Sequence, residues 1–425
     1  MSRVFIIDFD SVSAIGFGQE ETWQNLQANF SGAKEISRFS TEGLACNVGA
    51  EITRPLSPYL TSFSKEIQQA CEFDRKLEMI LSCYSLMKER LKESFSDHDP
   101  MRAGLIFGLG LDITPIENLH HLMRQRPELI EVVSLYRDLN ATGDRLNIIS
   151  NPLDIACVIL ARELKIAGFQ KSTLTACSAS SQAVAFGMQA IQRNKMDLVL
   201  VGGTDSLLNT LGLVAFSKLG IIFPSSEAPE KICKPLDKNR NSVLLGEGAG
   251  LMVLASEKFV KTRGLKPQLE LTGFGNSLDG YKITAPDPEA RGMRKAIEQA
   301  IKMSDWDLHD VDYVNLHGTG TIANDPLELQ AILEVFGDAA KDLSVSSTKD
   351  RHGHMIAAAG IMELCLLSIC MKRELIPCTR NLMRPLVENG LHLVRENNQN
   401  KEIRKALSNS FAFGGVNTVL AVQKI

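Results

Sequence analysis

Cys177, His317 and His354 are the residues whose types could do covalent chemistry in this chain: a thiol to attack, and two imidazoles to hold or move a proton. The cysteine sits in "TLTACSASSQAVAFGMQA", residues 173–190, with Thr175, Ser178, Ser180 and Ser181 around it. Two readings are open. A free cysteine is among the most buried residue types and can be simply a small hydrophobe in a packed helix. It becomes a nucleophile where its surroundings favour the thiolate. Val184, Ala185, Met188 and Ile191 recur after it at helical spacing. That places Cys177 at or near a helix N-terminus, where unpaired N–H groups and the macrodipole favour negative charge. Partners elsewhere in the chain decide between the readings.

Three later stretches supply them. "VDYVNLHGTGTIANDPLE" puts His317 just past an apolar strand, in a Gly/Thr turn. "VSSTKDRHGHMIAAAG" puts Lys349 and His354 five residues apart at a strand-to-helix junction. "SNSFAFGGVNTVLAV" puts Phe413 in a Gly-containing loop before a final strand. Either histidine alone is equally readable as structural, but loops at strand ends are where scaffolds carry catalytic groups.

The elements that must position these residues alternate. Apolar strand segments occur at Val4–Phe9, Ala103–Leu109, Leu198–Val201, Leu251–Ala255, Leu269–Thr272, Tyr313–Leu316, Leu343–Ser346 and Thr418–Val422. Helical patterns lie between many of them, at Leu77–Glu93, Ser180–Arg193, Arg291–Met303 and Pro326–Phe336. Near-continuous apolar strands predict an α/β fold with sheets covered on both faces. The longest loop-like stretch is "PSSEAPEKICKPLDKNRN", residues 224–241, and a loop of that length is more often functional than accidental. There is also a faint internal echo. Cys177 opens one small-residue helix and His354 opens another, as a duplicated fold would do.

Bulk properties exclude several classes. The chain has 425 residues, 44% apolar and 23% charged, an ordinary globular composition. A net charge of −4 and no long Lys/Arg run leave no nucleic-acid footprint. No window approaches the roughly 20 apolar residues of a membrane span. The opening "MSRVFIIDFDSVSAIG" carries Asp8 and Asp10 and reads as a buried strand, not a signal peptide. Nine cysteines, an odd number without a C-x-x-C pair, argue against a disulfide framework or a zinc site and for a reduced, cytoplasmic setting.

Together "TACSAS", "NLHGTGT", "STKDRHGH" with Glu363 nine residues on, "LLGEGAG" (244–250) and "NSFAFGG" resemble the β-ketoacyl synthases, in order and over nearly the whole chain. The nearest likeness is to the β-ketoacyl-ACP synthase I/II and polyketide ketosynthase group. The resemblance implies a thiolase fold, with two similar mixed five-stranded sheets in an α/β/α/β/α arrangement, normally dimeric. It implies an N-terminal half, residues 1–260, carrying Cys177, and a C-terminal half, residues 261–425, carrying the histidines. Relatives separate on the same motifs. "FAFGGVN" lacks the second cysteine of thiolases, His354 stands where the synthase III and chalcone synthase group has Asn, and Cys177 is present where chain-length factors have lost it.

The implied reaction is a decarboxylative Claisen condensation of an acyl group on Cys177 with malonyl-ACP, giving β-ketoacyl-ACP and CO₂. By the resemblance, the backbone N–H groups of Cys177 and Phe413 form the oxyanion hole, His317 and His354 hold the enolate oxygen, and Lys349 and Glu363 support them. Thr319 and Thr321 contact the pantetheine arm, Leu111 and Ala412 line the acyl path, and Arg75 and Lys76 receive the acidic carrier. A thiol of ordinary pKa ~8.5 is expected to be lowered by the helix end. No metal or resident cofactor is implied, since the carrier supplies phosphopantetheine. Partners implied are the carrier protein and either an identical subunit or a chain-length-factor-like one. "TACSAS" and "HGTGT" favour a specialised acyl, polyene or polyketide pathway over housekeeping fatty acid elongation, with a low-activity partner subunit as a different class. Departures from the pattern are Asp8-Phe9-Asp10 at a usually Gly-rich start, His352 in place of Ser or Thr, Lys282 in place of a frequent His, and Ala412 in place of Gly. Glycine before Phe413 would permit positive φ, so Ala412 is expected to restrict the loop.

Overall fold

Alternate residues of the long strands bury into two different cores, which is why their apolar runs are nearly unbroken. In a strand at Glu247–Ser256, Leu251 and Val253 join one cluster with Leu105 and Phe107, while Met252 and Leu254 join another with Val184 and Met188. Both faces of the sheet are therefore covered. The computed structural model describes residues 2–111, 153–388 and 390–425.

Ten strands carry the frame: β1 (Val4–Ser13), β2 (Ala103–Leu109), β3 (Phe169–Thr173), β4 (Leu198–Ser206), β5 (Glu247–Ser256), β6 (Leu269–Leu278), β7 (Tyr313–Asn315), β8 (Ser344–Ser346), β9 (Lys405–Phe411) and β10 (Val416–Lys424). The first half runs β1-β5-β4-β2-β3 and the second β6-β10-β9-β7-β8. In each half the first two pairings are antiparallel and the last two parallel. The expected duplication is thus present as matching strand orders. The halves also join edge to edge, through antiparallel pairing of Val4 with Leu271, Phe5 with Glu270 and Ile6 with Leu269.

Five helices complete the layers: α1 (Arg75–Ser94), α2 (Ala179–Gln192), α3 (Arg291–Ser304), α4 (Asn324–Phe336) and α5 (Ala359–Arg373). Helices α2 and α5 pack on each other and on strands of both halves, α1 covers the outer face of the first half, and α3 with α4 covers the second. The small residues beside Cys177 make the central contact possible. Ser180 Oγ accepts the Ile361 N–H at 2.9 Å, Ser181 Oγ lies 2.8 Å from Ser410 Oγ, and a Cβ on Gly360 would stand 2.0 Å from Ser181 Oγ.

Two strands carry no apolar run in the sequence. β3 is a half-exposed edge, "FQKST". β9, "KALSNSF", buries Ser408, Asn409 and Ser410 completely, and polar residues in a buried strand erase the apolar pattern. Among the described residues no helix is long and apolar enough to cross a membrane, and all nine cysteines are free thiols.

Candidate active site

Cys177 lies in a short 3₁₀ turn, Ala176–Ser178, that leads directly into α2. Ala176 holds a φ of 45°, a left-handed conformation uncommon for a side-chain-bearing residue. This strained corner presents the sulfur. His354 Nε2 is 3.1 Å from Cys177 Sγ, and the His317 and His354 rings meet edge to face with centroids 5.2 Å apart. The sulfur and one nitrogen of each ring all lie within 4.8 Å of one another.

Buried groups hold the rings in place. The Glu328 carboxylate accepts the N–H of His317 at 2.7 Å and of Gly318 at 2.8 Å, and Asn409 Nδ2 donates to it at 3.0 Å. Lys349 Nζ pairs with Glu363 Oε1 at 2.5 Å, with both side chains fully buried. Burial, reinforced by the nearby Lys349 charge, holds both active-site imidazoles well below 6.5, so each is neutral. Burial also raises the Glu363 carboxyl to about 7 against the pull of Lys349.

The thiol corrects one expectation. Burial pushes Cys177 up to about 12, outweighing the Lys349 charge and the backbone N–H groups of Phe413 and of Cys177 itself, which favour the thiolate. The resting group is therefore a thiol beside a neutral imidazole rather than a preformed thiolate. The Asp205 carboxylate raises it further.

The pocket around the sulfur is apolar on one side, with Phe216, Ile221, Val243 and Ile356, and polar at Thr319 and Thr321. The Thr319 and Thr321 hydroxyls are 3.0 Å apart, and Arg240 from the long 224–241 stretch supports their loop by donating to the carbonyls of Thr321 and Ile322. That stretch therefore buttresses the polar side of the pocket.

The β-ketoacyl synthase N-terminal domain matches residues 1–259, and the β-ketoacyl synthase C-terminal domain matches residues 269–383. A 3-oxoacyl-[acyl-carrier-protein] synthase 2 of Coxiella burnetii is 31% identical over 425 residues, covering 100% of this chain and 99% of the relative. The chain belongs to the β-ketoacyl synthase family. Among solved structures, the ishigamide ketosynthase/chain length factor matches with a TM-score of 0.82 at 26% identity, covering 100% of this chain and 99% of that one. A Xenorhabdus doucetiae ketosynthase in complex with its chain length factor matches with a TM-score of 0.80 at 26% identity, covering 100% and 98%.

Three further expectations for this β-ketoacyl synthase need correction. Arg75 is not a free docking cation. Its guanidinium bonds Glu247 at 2.8 Å, Glu78 at 2.6 Å and the Ile52 carbonyl at 2.9 Å, inside a half-buried ion cluster. Lys76, its neighbour, donates to the Leu111 carbonyl at 3.0 Å. Leu111 itself is 68% exposed and is not among the described residues that line the pocket. Ala412 does line it, but its φ of −105° and ψ of 157° are extended backbone that any residue adopts, and positive φ falls on Gly414 and Gly415 instead. Lys282 lies over the Tyr281 ring, and Asp279 accepts from Asn417 Nδ2 at 2.7 Å.

Sequence reasoning missed Asp205 and Glu328. A signal for Glu328 existed: it stands between Leu327 and Leu329 on a helix whose neighbouring residues are apolar, so its burial there demands polar partners. Asp205 carried none.

Proposed function

We propose that this synthase joins an acyl group held on Cys177 to malonyl-ACP with loss of CO₂, in a specialised acyl, polyene or polyketide pathway. The observation that carries the proposal is the convergence of Cys177, His317 and His354, drawn from opposite halves of the chain, on one pocket. In this reading residues 1–260 supply the nucleophile and residues 261–425 the two imidazoles.

The first half-reaction exchanges thioesters. Cys177 sulfur attacks the acyl carbonyl, whose oxyanion takes the N–H groups of Cys177 and Phe413, and the thiol proton passes to the departing carrier sulfur while the His354 Nε2–H, 3.1 Å away, donates to the Cys177 sulfur as its charge develops. In the second, malonyl-ACP releases CO₂ and its enolate oxygen is held by N–H groups of the two neutral rings. A neutral imidazole can donate to the enolate without protonating it, which is the use of holding both rings far below their ordinary pKa. The enolate carbon then attacks the Cys177 thioester, and the released thiolate takes up one proton from solvent, which the overall reaction consumes.

Thr319 and Thr321 hydroxyls contact the pantetheine arm of an acyl carrier protein, which brings the phosphopantetheine. A relative named 3-oxoacyl-[acyl-carrier-protein] synthase 2 fits substrates held on an acyl carrier, and the ketosynthase/chain-length-factor structures fit a two-subunit assembly, while the pathway reading rests on "TACSAS" and "HGTGT". Intact mass after exposure to a panel of acyl carriers tests the reading. An acyl adduct on Cys177, with a preferred chain, supports it. No adduct from any carrier assigns the chain to a partner subunit without turnover.

A further inference from the structure

Lys349–His352 form one short helical turn whose four side chains are all buried. Lys349 begins the turn, and Gly353, at φ 69°, redirects the chain so that His354 pairs with a neighbouring segment. There the His354 N–H donates to Leu244 at 2.7 Å and its carbonyl accepts from Gly246 at 3.0 Å. A Cβ on Gly246 would stand 2.2 Å from the His352 carbonyl oxygen, so the turn rests directly on that segment. The backbone there has little room to shift without disturbing both Lys349 and His354.

His352 has no part in the chemistry above, although it is a third buried imidazole two residues from His354. Both its nitrogens are occupied. Nδ1 is 2.7 Å from the Gly353 carbonyl oxygen and Nε2 is 3.0 Å from Thr348 Oγ1. A carbonyl only accepts, so the hydrogen is on Nδ1 and the Thr348 hydroxyl donates to Nε2. Thr348 directly precedes Lys349, and Gly353 directly precedes His354. One ring therefore bridges the two residues that lead into the working side chains. A Ser or Thr at this position, as the family resemblance implies, has a single hydroxyl oxygen and a shorter reach. Burial holds the ring down to about 3, with the charges of Lys349 and Arg351 adding to the effect, so the bridge keeps one protonation state across neutral pH.

We infer that His352 is a positioning residue: its imidazole ties Thr348 to Gly353 and so sets the spacing between Lys349 and His354. The inference rests on the roles given to those two residues under the proposed function. A catalytic group displaced by a fraction of an ångström loses rate even where the fold survives.

The test uses the full chain and measures two half-reactions separately, acyl transfer to Cys177 by intact mass and decarboxylation of malonyl-ACP. His352→Ala and Thr348→Val each remove the bridge, while His352→Gln keeps one donor and one acceptor. Expected is a loss in decarboxylation about tenfold larger than any loss in transfer for the first two, with recovery of most activity in His352→Gln. Equal losses in both half-reactions, as a lower folded fraction produces, would overturn the inference, as would parent-like decarboxylation in both variants. Should His352→Ala fail to fold, Thr348→Val, which retains the ring, decides by the same criteria. His354→Ala run in parallel separates the two levels. If it decarboxylates at the parent rate, the active-site reading itself fails. If it is inactive while the bridge variants are not, only the role of His352 falls.

Discussion

Two corners at which a 3₁₀ turn leads into a helix, one in each half, have nearly the same backbone and different partners for their N–H groups. In the first, Ala176 at φ 45° precedes Cys177 in a 3₁₀ turn leading into α2. In the second, Ile356 at φ 41° precedes Ala357 in a 3₁₀ turn leading into α5. At the first corner the backbone N–H groups of Cys177 and Phe413 both favour negative charge on the Cys177 sulfur. In the second, the equivalent Ala357 N–H donates at 3.0 Å to Oδ2 of Asp205, a buried carboxylate from β4. The two corners therefore differ in what meets their N–H groups: in the proposed reading the first receives the oxyanion of a substrate, whereas the second is filled by a side chain of the protein itself. The lesson is that strain of this kind marks a function only where its N–H groups are left available.

The largest test of the comparison makes the first corner resemble the second. Cys177→Ala is expected to abolish acyl loading and condensation with melting temperature close to the parent's. Loading that persists, measured by intact mass, would move the nucleophile to another cysteine.

Next come the two rings beside Cys177. His317→Ala and His354→Ala should each lower malonyl-ACP decarboxylation by about 10²–10³-fold, the range for removing one oxyanion donor. Transfer to Cys177 falls less, because the Lys349 charge and two backbone N–H groups still favour the thiolate. Released CO₂ and adduct mass report the two effects separately.

A smaller effect is expected at the filled corner. Burial raises the Asp205 carboxyl from 3.8 to about 6, so the folded protein holds this proton more tightly than the unfolded chain. The group's contribution to stability is thus full below about 4 and is lost as pH rises through 6, by up to ~3 kcal/mol. Asp205→Asn keeps an acceptor for the Ala357 N–H without the charge. Its melting temperature should gain on the parent's at pH 8 by several degrees more than at pH 5. An equal difference at both pH values would show that the charge carries no cost.

The smallest expected change is at Ala412. Its extended backbone removes the strain argument, so Ala412→Gly should leave the acyl-chain profile within about twofold of the parent. A broadened profile across short and long chains would reveal a second loop state in which position 412 adopts positive φ.

Much of this was legible in the residues. The apolar strands, the small-residue helix after Cys177, the histidines at strand ends and the family motifs are local patterns, because strand and helix periodicity and turn chemistry are written in adjacent residues. Five short motifs in order were enough to carry the family. What the sequence could not decide were quantities that depend on surroundings. A helix start predicts a lowered thiol, yet complete burial raises it to about 12, since desolvation is set by everything packed around the sulfur and not by its neighbours in the chain. "DRK" reads as a basic helix start, yet Glu247, 172 residues away, claims Arg75. The strand "KALSNSF" hides its burial because its polar residues find partners on other elements, Glu328 and Ser181 among them. Sequence determined which groups this protein has and which local elements carry them. Tertiary structure alone decided their charge, their partners and which of two like corners is filled by a side chain of the protein itself, because each of those is fixed by atoms brought together from distant parts of the chain.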